Sequence, residues 1–160
     1  MIQLTHEAID SAALLESVRD DQAGAVLLFL GTVREFTAGE QTSHLTYTAY
    51  ESMARRALQQ LELEAAEQFD IVRMGIVHRL GELALGEVSV GIAVSSAHRA
   101  IAYECSRWLI DTLKQRIPIW KQEHYSDGRV EWQHPGMLQN PTAETAPGDS
   151  VADEPRGETG

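Results

Sequence analysis

Blocks of strand and helix signals follow one another along the chain in the order helix, strand, strand, helix, strands, helix, strands. That order predicts an α+β domain with helices packed on a mostly antiparallel sheet. Three observations carry it. Residues 51–69 contain neither Gly nor Pro and are rich in Ala, Leu, Glu, Gln and Arg, which predicts a long helix. A second long helix is predicted over about 97–116 and ended by Pro118, which cannot continue it and restricts the residue before it. The remaining ordered stretches are short and apolar or β-branched, and Asp127-Gly128 is a strong hairpin signal between two of them.

The elements are read in order. Residues 6–19 suggest a short amphipathic helix with Ile9, Ala12, Leu15 and Val18 at helical spacing. Gly24 then opens the continuous apolar run Ala25 to Leu30, the pattern of a buried strand. It ends at Gly31-Thr32-Val33-Arg34, and the polar residues 35–43 read as a loop. Leu45 to Tyr50 is a second strand on its β-branched and aromatic content. Ile71 to Val77 is a third, Val88 to Val94 a fourth, Ile119 to Tyr125 a fifth, and Arg129 to Gln133 closes the hairpin. The whole folded unit is expected over 1–134. From Pro135 the chain is Pro, Gly, Thr, Ala and acid with little to bury, so 135–160 is expected to be an acidic, disordered tail.

At 160 residues the chain suits one domain and can bury a core without disulfides or a structural metal. The formal net charge is −11; residues 137–160 carry −4 of it, which leaves −7 on the rest. An acidic body argues against nucleic-acid binding, and any anionic ligand must be held by a local basic cluster. Cys105 is the one cysteine, and no Cys/His spacing resembles a zinc site, so no metal and no cofactor is expected. The N-terminus lacks a signal-peptide pattern and no run approaches a membrane span, so a cytoplasmic protein is expected.

Three groups of residues are candidates for chemistry. Ser95-Ser96-Ala97-His98-Arg99 takes a strand into a helix start, where Ser is a preferred cap and free N–H groups favour an anion. His98 and Arg99 oppose the helix dipole there, a conflict that a bound phosphate would remove; the competing reading is two solvated first-turn residues. Arg34 leaves the first apolar strand and can grip a phosphate with two prongs, or else pair with a surface acid. His78-Arg79 ends another strand in the same way, with Gly81-Glu82 read as a turn that pairs Arg79 locally. Two lysines stand out. Lys114 lies off the helix face formed by Ile101, Cys105, Trp108, Leu109 and Thr112, and its spacing alone points to an exposed lysine paired with Asp111. Lys121 alternates in phase with Ile119, Glu123 and Tyr125, so it is either partly buried with a nucleophilic amine or a snorkelling side chain. Cys105 falls on the apolar helix face and reads as core.

Taken together, these segments resemble the large, catalytic subunit family of molybdopterin synthase. The resemblance is carried by Gly24-Ala25-Val26 through Gly31-Thr32-Val33-Arg34, Tyr50-Glu51-Ser52-Met53-Ala54, His78-Arg79-Leu80-Gly81-Glu82-Leu83 with Gly86-Glu87, Val94 to Arg99, Asp111-Thr112-Leu113-Lys114 and Pro118 to Glu123. Their order and spacing agree over about residues 2–134.

The resemblance implies an α/β hammerhead fold with a small added β subdomain. It implies a sulfurtransferase that moves two sulfurs from a carrier to cyclic pyranopterin monophosphate (precursor Z) to form molybdopterin. The carrier is a small ubiquitin-like subunit whose C-terminal Gly-Gly is a thiocarboxylate. The assembly implied is a homodimer within a heterotetramer. On this resemblance Arg34, His98 and Arg99 bind the substrate phosphate, and Lys114 and Lys121 are catalytic. It overrides the spacing-based reading of Lys114. The family also draws on a basic residue near the neighbouring subunit's C-terminus; the region after Trp132 offers no clear match, and Arg129 stands as a substitute. The alternative functions are a noncatalytic module that docks a ubiquitin-like carrier and an unrelated phosphate-ester enzyme.

Overall fold

The structure is a computed structural model and describes residues 1–133. The tail expected over 135–160, and His134, lie outside the described residues. Twelve elements follow in chain order: β1 (Ile2–Thr5), α1 (Ser11–Ser17), β2 (Ala25–Thr32), β3 (Phe36–Thr37), β4 (Glu40–Ala49), α2 (Glu51–Gln68), β5 (Arg73–Arg79), β6 (Gly81–Ala84), β7 (Val88–Ser96), α3 (Arg99–Arg116), β8 (Ile119–Tyr125) and β9 (Val130–Gln133).

They build two sheets. The first has the order β1-β5-β7-β2, with β1 and β5 parallel and the other neighbours antiparallel. β7 is its centre, buried from Ser89 to Ser96. One face is covered by α2 and α3, which place Ala54, Leu58, Leu61 and Ala65 and then Ala102, Cys105, Leu109 and Leu113 against Ile76, Ile92 and Val94. The other face is covered by α1, whose Leu14 and Val18 pack on Val77 and Ala93. The second sheet has the order β3-β4-β8-β9, with β6 added to β4. Its own core is small, namely Val33, Leu45 and Leu83. Tyr47 packs against both cores and so joins the sheets.

The structure bears out the α+β class and departs from the element readings at four places. The helix expected over 6–19 is shorter. Asp10 caps it by accepting the Ala13 N–H at 2.9 Å, and residues 6–9 ahead of the cap are irregular and follow β1, which is held by pairing with β5. The loop expected over 35–43 is a hairpin. Ala38 (φ 51°) and Gly39 (φ 86°) both adopt left-handed backbone, the two-residue turn that matches strand twist, between the paired Thr37 and Glu40. Gly81-Glu82 is no simple turn but opens β6, which pairs with Tyr47 and Thr46 of β4. At the second long helix, Ser95 and Ser96 stay in β7 and are buried; His98 is the cap position and Arg99 the first helical residue. Ser95 Oγ instead accepts the Arg73 N–H across the sheet at 3.1 Å, and Ser96 Oγ donates to the His98 carbonyl at 2.7 Å.

Candidate active site

The apolar run that predicts a buried strand forms β2, yet β2 is an edge strand. It reads AVLLFLGT without one charge, none of its residues is fully buried, and its outer edge pairs with nothing among the described residues. α3 lies alongside it. Between them runs a groove in two parts. The first, about 310 Å³, is lined by Gly24 to Leu27 with Arg99, Ala102 and Tyr103. The second, about 590 Å³, is lined by Leu27, Leu28 and Phe29 with Tyr103, Ser106, Arg107, Ile110, Asp111 and Lys114. The helix residues of the groove advance by three and four, so they form one stripe of α3. Arg99 stands at one end of the stripe and Lys114 at the other, about 22 Å apart along the axis at 1.5 Å per residue.

The Arg99 end is a helix N-terminus. His98 makes no side-chain capping bond, so the first N–H groups of α3 are left for a ligand or solvent. The start of β2 comes close here: a Cβ on Gly24 would lie 2.5 Å from the Ala97 carbonyl oxygen, which glycine alone avoids. His98 and Arg99 are exposed. Arg34 stands past the opposite end of β2, whose eight residues span about 23 Å. It too is exposed, and among the described residues it forms no ion pair.

Lys114 is exposed, and the expected pair with Asp111 is absent, since no ion pair to Lys114 occurs among the described residues. Lys121 is different. Its side chain is 25% exposed and its Nζ lies 3.1 Å from Oε2 of Glu123, whose own side chain is 1% exposed. The side chain is thus partly buried, as one of the two sequence readings had it, and its Nζ is held by a buried carboxylate and not enclosed by apolar groups alone. Glu123 Oε1 accepts from Thr42 Oγ1 at 2.6 Å. Burial pushes the Glu123 carboxyl up, but the Thr42 bond, the charge and hydrogen bond of Lys121 and a hydrogen bond from Thr37 together hold it below the ordinary carboxylate value.

Thus one chain divides the expected site. Arg34 and Lys114 fall toward one end of the β2–α3 groove. Lys121 lies toward the same end by chain connectivity, because β8 begins at Ile119, three residues after Arg116 ends α3. His98 and Arg99 lie at the far end. Two other candidates are used structurally. Arg79 is tied to Glu87 at 2.9 Å, the same carboxylate that accepts the Ala84 N–H. Arg129 is held by Asp127 at 2.6 Å, Glu40 at 2.9 Å and Glu131 at 3.7 Å and lies over the Tyr125 ring, which leaves it no open prong for an anion. Cys105 is wholly buried, and burial pushes its thiol up to about 12, so it is no sulfur nucleophile. Among the described residues no three His, Cys, Asp or Glu side chains are grouped to hold a metal ion, and no helix is long and apolar enough to cross a membrane.

Sequence reasoning missed Arg107, Thr42 and Glu123. Arg107 is legible afterwards from its spacing, eight residues after Arg99 and seven before Lys114 on one helical stripe. Glu123 shares the strand phase of Lys121, a signal available but read only for the lysine. Thr42 has no local signal; a register shift between Thr42 and His44 brings it onto Glu123.

The fold and this groove define an α+β protein that sets cations without an ion pair among the described residues at the two ends of one helix, on an otherwise acidic chain. The comparisons make the class specific. The family model described as MoaE protein matches residues 4–116. The molybdopterin synthase catalytic subunit of Halalkalibacterium halodurans is 45% identical over 117 residues, 73% of this chain and 75% of that one. The subunit of the same name from Bacillus subtilis is 42% identical over 130 residues, 81% and 82% of the two chains. The crystal structure of molybdopterin synthase from Staphylococcus aureus superimposes with a TM-score of 0.76 at 39% identity, covering 81% of this chain and 94% of that one. The chain belongs to the MoaE family, that of the molybdopterin synthase catalytic subunits.

Proposed function

We propose that this chain transfers sulfur from the C-terminal thiocarboxylate of a small ubiquitin-like carrier to cyclic pyranopterin monophosphate, in two successive additions that yield molybdopterin, and that it does so in the cytoplasm as a homodimer within a heterotetramer. The family supports the reaction, and the division of the cations along α3 carries the reading of the site. Arg34, His98 and Arg99 hold the phosphate. Lys114 and Lys121 stand beside the thiocarboxylate, supply positive charge as its sulfur attacks, and move protons. The sulfur arrives on the carrier, so no protein cysteine takes part, in keeping with the buried Cys105.

A phosphate cannot reach both ends of a 22 Å stripe (about 15 helical rises) from one position. A second copy resolves this. Two chains related by a twofold across the middle of the groove set their α3 stripes antiparallel, and His98 and Arg99 of one copy then meet Arg34 and Lys114 of the other. The uncharged edge of β2 supports that contact, because exposed strand edges are ordinarily guarded by charge.

Complementation tests this reading. Arg99→Ala and Lys114→Ala should each abolish most product formation. Co-expressed, they should recover about a quarter of wild-type activity, since half of the dimers are mixed and each mixed dimer has one intact site of two. No recovery from a mixture shown to contain mixed dimers would contradict a site shared between copies.

A further inference from the structure

We propose that Thr42 is a positioning residue for Lys121, acting through Glu123. The inference deepens the sulfur-transfer reading and rests on the role given there to Lys121.

A β-bulge puts Thr42 in place. Along the β4–β8 ladder Thr42 pairs with Tyr125 and His44 with His124, so Ser43 is an extra residue. In regular alternation Thr42 and His44 would share one face of the sheet, with Ser43 and Leu45 on the other. The bulge changes this. Thr42 is buried together with Leu45, while Ser43 is exposed and His44 half-buried. Bulges re-aim side chains in this way and are frequent beside active sites.

The re-aimed hydroxyl meets a carboxylate as buried as itself. Thr42 Oγ1 donates to Glu123 Oε1 at 2.6 Å, and Lys121 Nζ donates to Oε2 of the same carboxylate at 3.1 Å. A threonine hydroxyl has one proton and an ionised carboxylate only accepts, so the direction of the shorter bond is fixed. With one oxygen held, the carboxylate cannot turn freely, and its other oxygen meets Lys121 at one place. The lysine stem is flexible by itself, and a charge-assisted bond to a fixed acceptor localises it.

The backbone of Thr42 has a second tie. Its N–H donates to the carbonyl of Glu35 at 2.7 Å, the residue that follows Arg34. One residue therefore joins the backbone beside Arg34 to the carboxylate that holds Lys121. The competing role is to satisfy a buried carboxylate and no more, which would affect stability alone.

Thr42→Val separates the two roles. It removes the hydroxyl at nearly constant volume and keeps the backbone bond to Glu35, whereas Thr42→Ser keeps both. The full-length chain is assayed with thiocarboxylated carrier and cyclic pyranopterin monophosphate, well below the melting temperature of each variant. The chain has two lysines, so selective labelling gives two side-chain NMR signals, assigned with Lys121→Arg. Thr42→Val should move the Lys121 signal and leave that of Lys114. Turnover should fall by roughly 10- to 100-fold, as for a misplacement of about 1 Å. KM for the pterin should hold, because the bond beside Arg34 remains. Thr42→Ser should bring the signal and the turnover back toward wild type. If Thr42→Val does not fold, Thr42→Cys takes its place as a weaker donor of similar size, with the same shifts to a smaller degree. An unmoved Lys121 signal in the folded variant, or a moved signal with normal turnover, would overturn the proposal. An inactive wild type would count against sulfur transfer itself, and the Lys121 signal would then decide the positioning role by itself.

Discussion

Glu123 keeps a charged carboxylate inside the second sheet because Thr42, Thr37 and Lys121 face it, and their combined pull exceeds the penalty of burial. Its folded-state pKa lies below the ordinary value of 4.5, so the folded chain holds its proton less tightly than the unfolded chain does. The stability it contributes is present above that ordinary value and is lost as the pH falls through the lower folded one. Glu123→Gln should therefore lower the melting temperature at neutral pH, and the gap to wild type should close in acid; thermal melts across that range check it. His78 acts in the same direction for a different reason. Burial lowers its pKa from 6.5 to about 4, so acid favours the unfolded chain. The loss should accumulate between those two values and reach about 3 kcal/mol, and denaturant titrations of His78→Phe should show a flatter pH dependence over that window. At this scale the sequence showed residue types and phase. Lys121 and Glu123 could be placed on one strand face, but the bond from Thr42 depends on a register shift in β4 that no local pattern encodes.

α3 and β2 are the elements that shape the candidate site. Both were legible, α3 from its length and terminating Pro118, β2 from its apolar run. What the run could not show was position in the sheet, since an apolar strand reads alike at the centre or at an edge that a second chain covers. The short strands β1, β3 and β6 were missed for a related reason. Each has two to four residues and exists through its pairing partner, not through its own periodicity. Val26 tests the edge assignment. It is 40% exposed and lines the groove, so Val26→Lys should leave the monomer folded while guarding the edge with charge. Sedimentation should then show a monomer where wild type is a dimer, with product formation lost alongside. A dimeric Val26→Lys chain would place the contact elsewhere.

Across the molecule, two sheets joined at Tyr47 carry the cations to separate places, and in the proposed function a second copy brings them together. The spacing of Lys114 pointed to an ion pair with Asp111, and the family resemblance pointed to catalysis. Among the described residues that ion pair does not form, and Lys114 stands exposed. Lys114→Ala should leave the fold and the melting temperature intact, because the side chain is exposed and forms no ion pair among the described residues, and should remove most sulfur transfer. The most direct measurement is reconstitution of this chain with a thiocarboxylated carrier and cyclic pyranopterin monophosphate, with molybdopterin detected as a fluorescent oxidation product. Product that requires all three components and Lys114 is the predicted result. Carrier that binds without product, or full turnover in Lys114→Ala, would contradict it, the first outcome leaving a docking module and the second a different catalytic group.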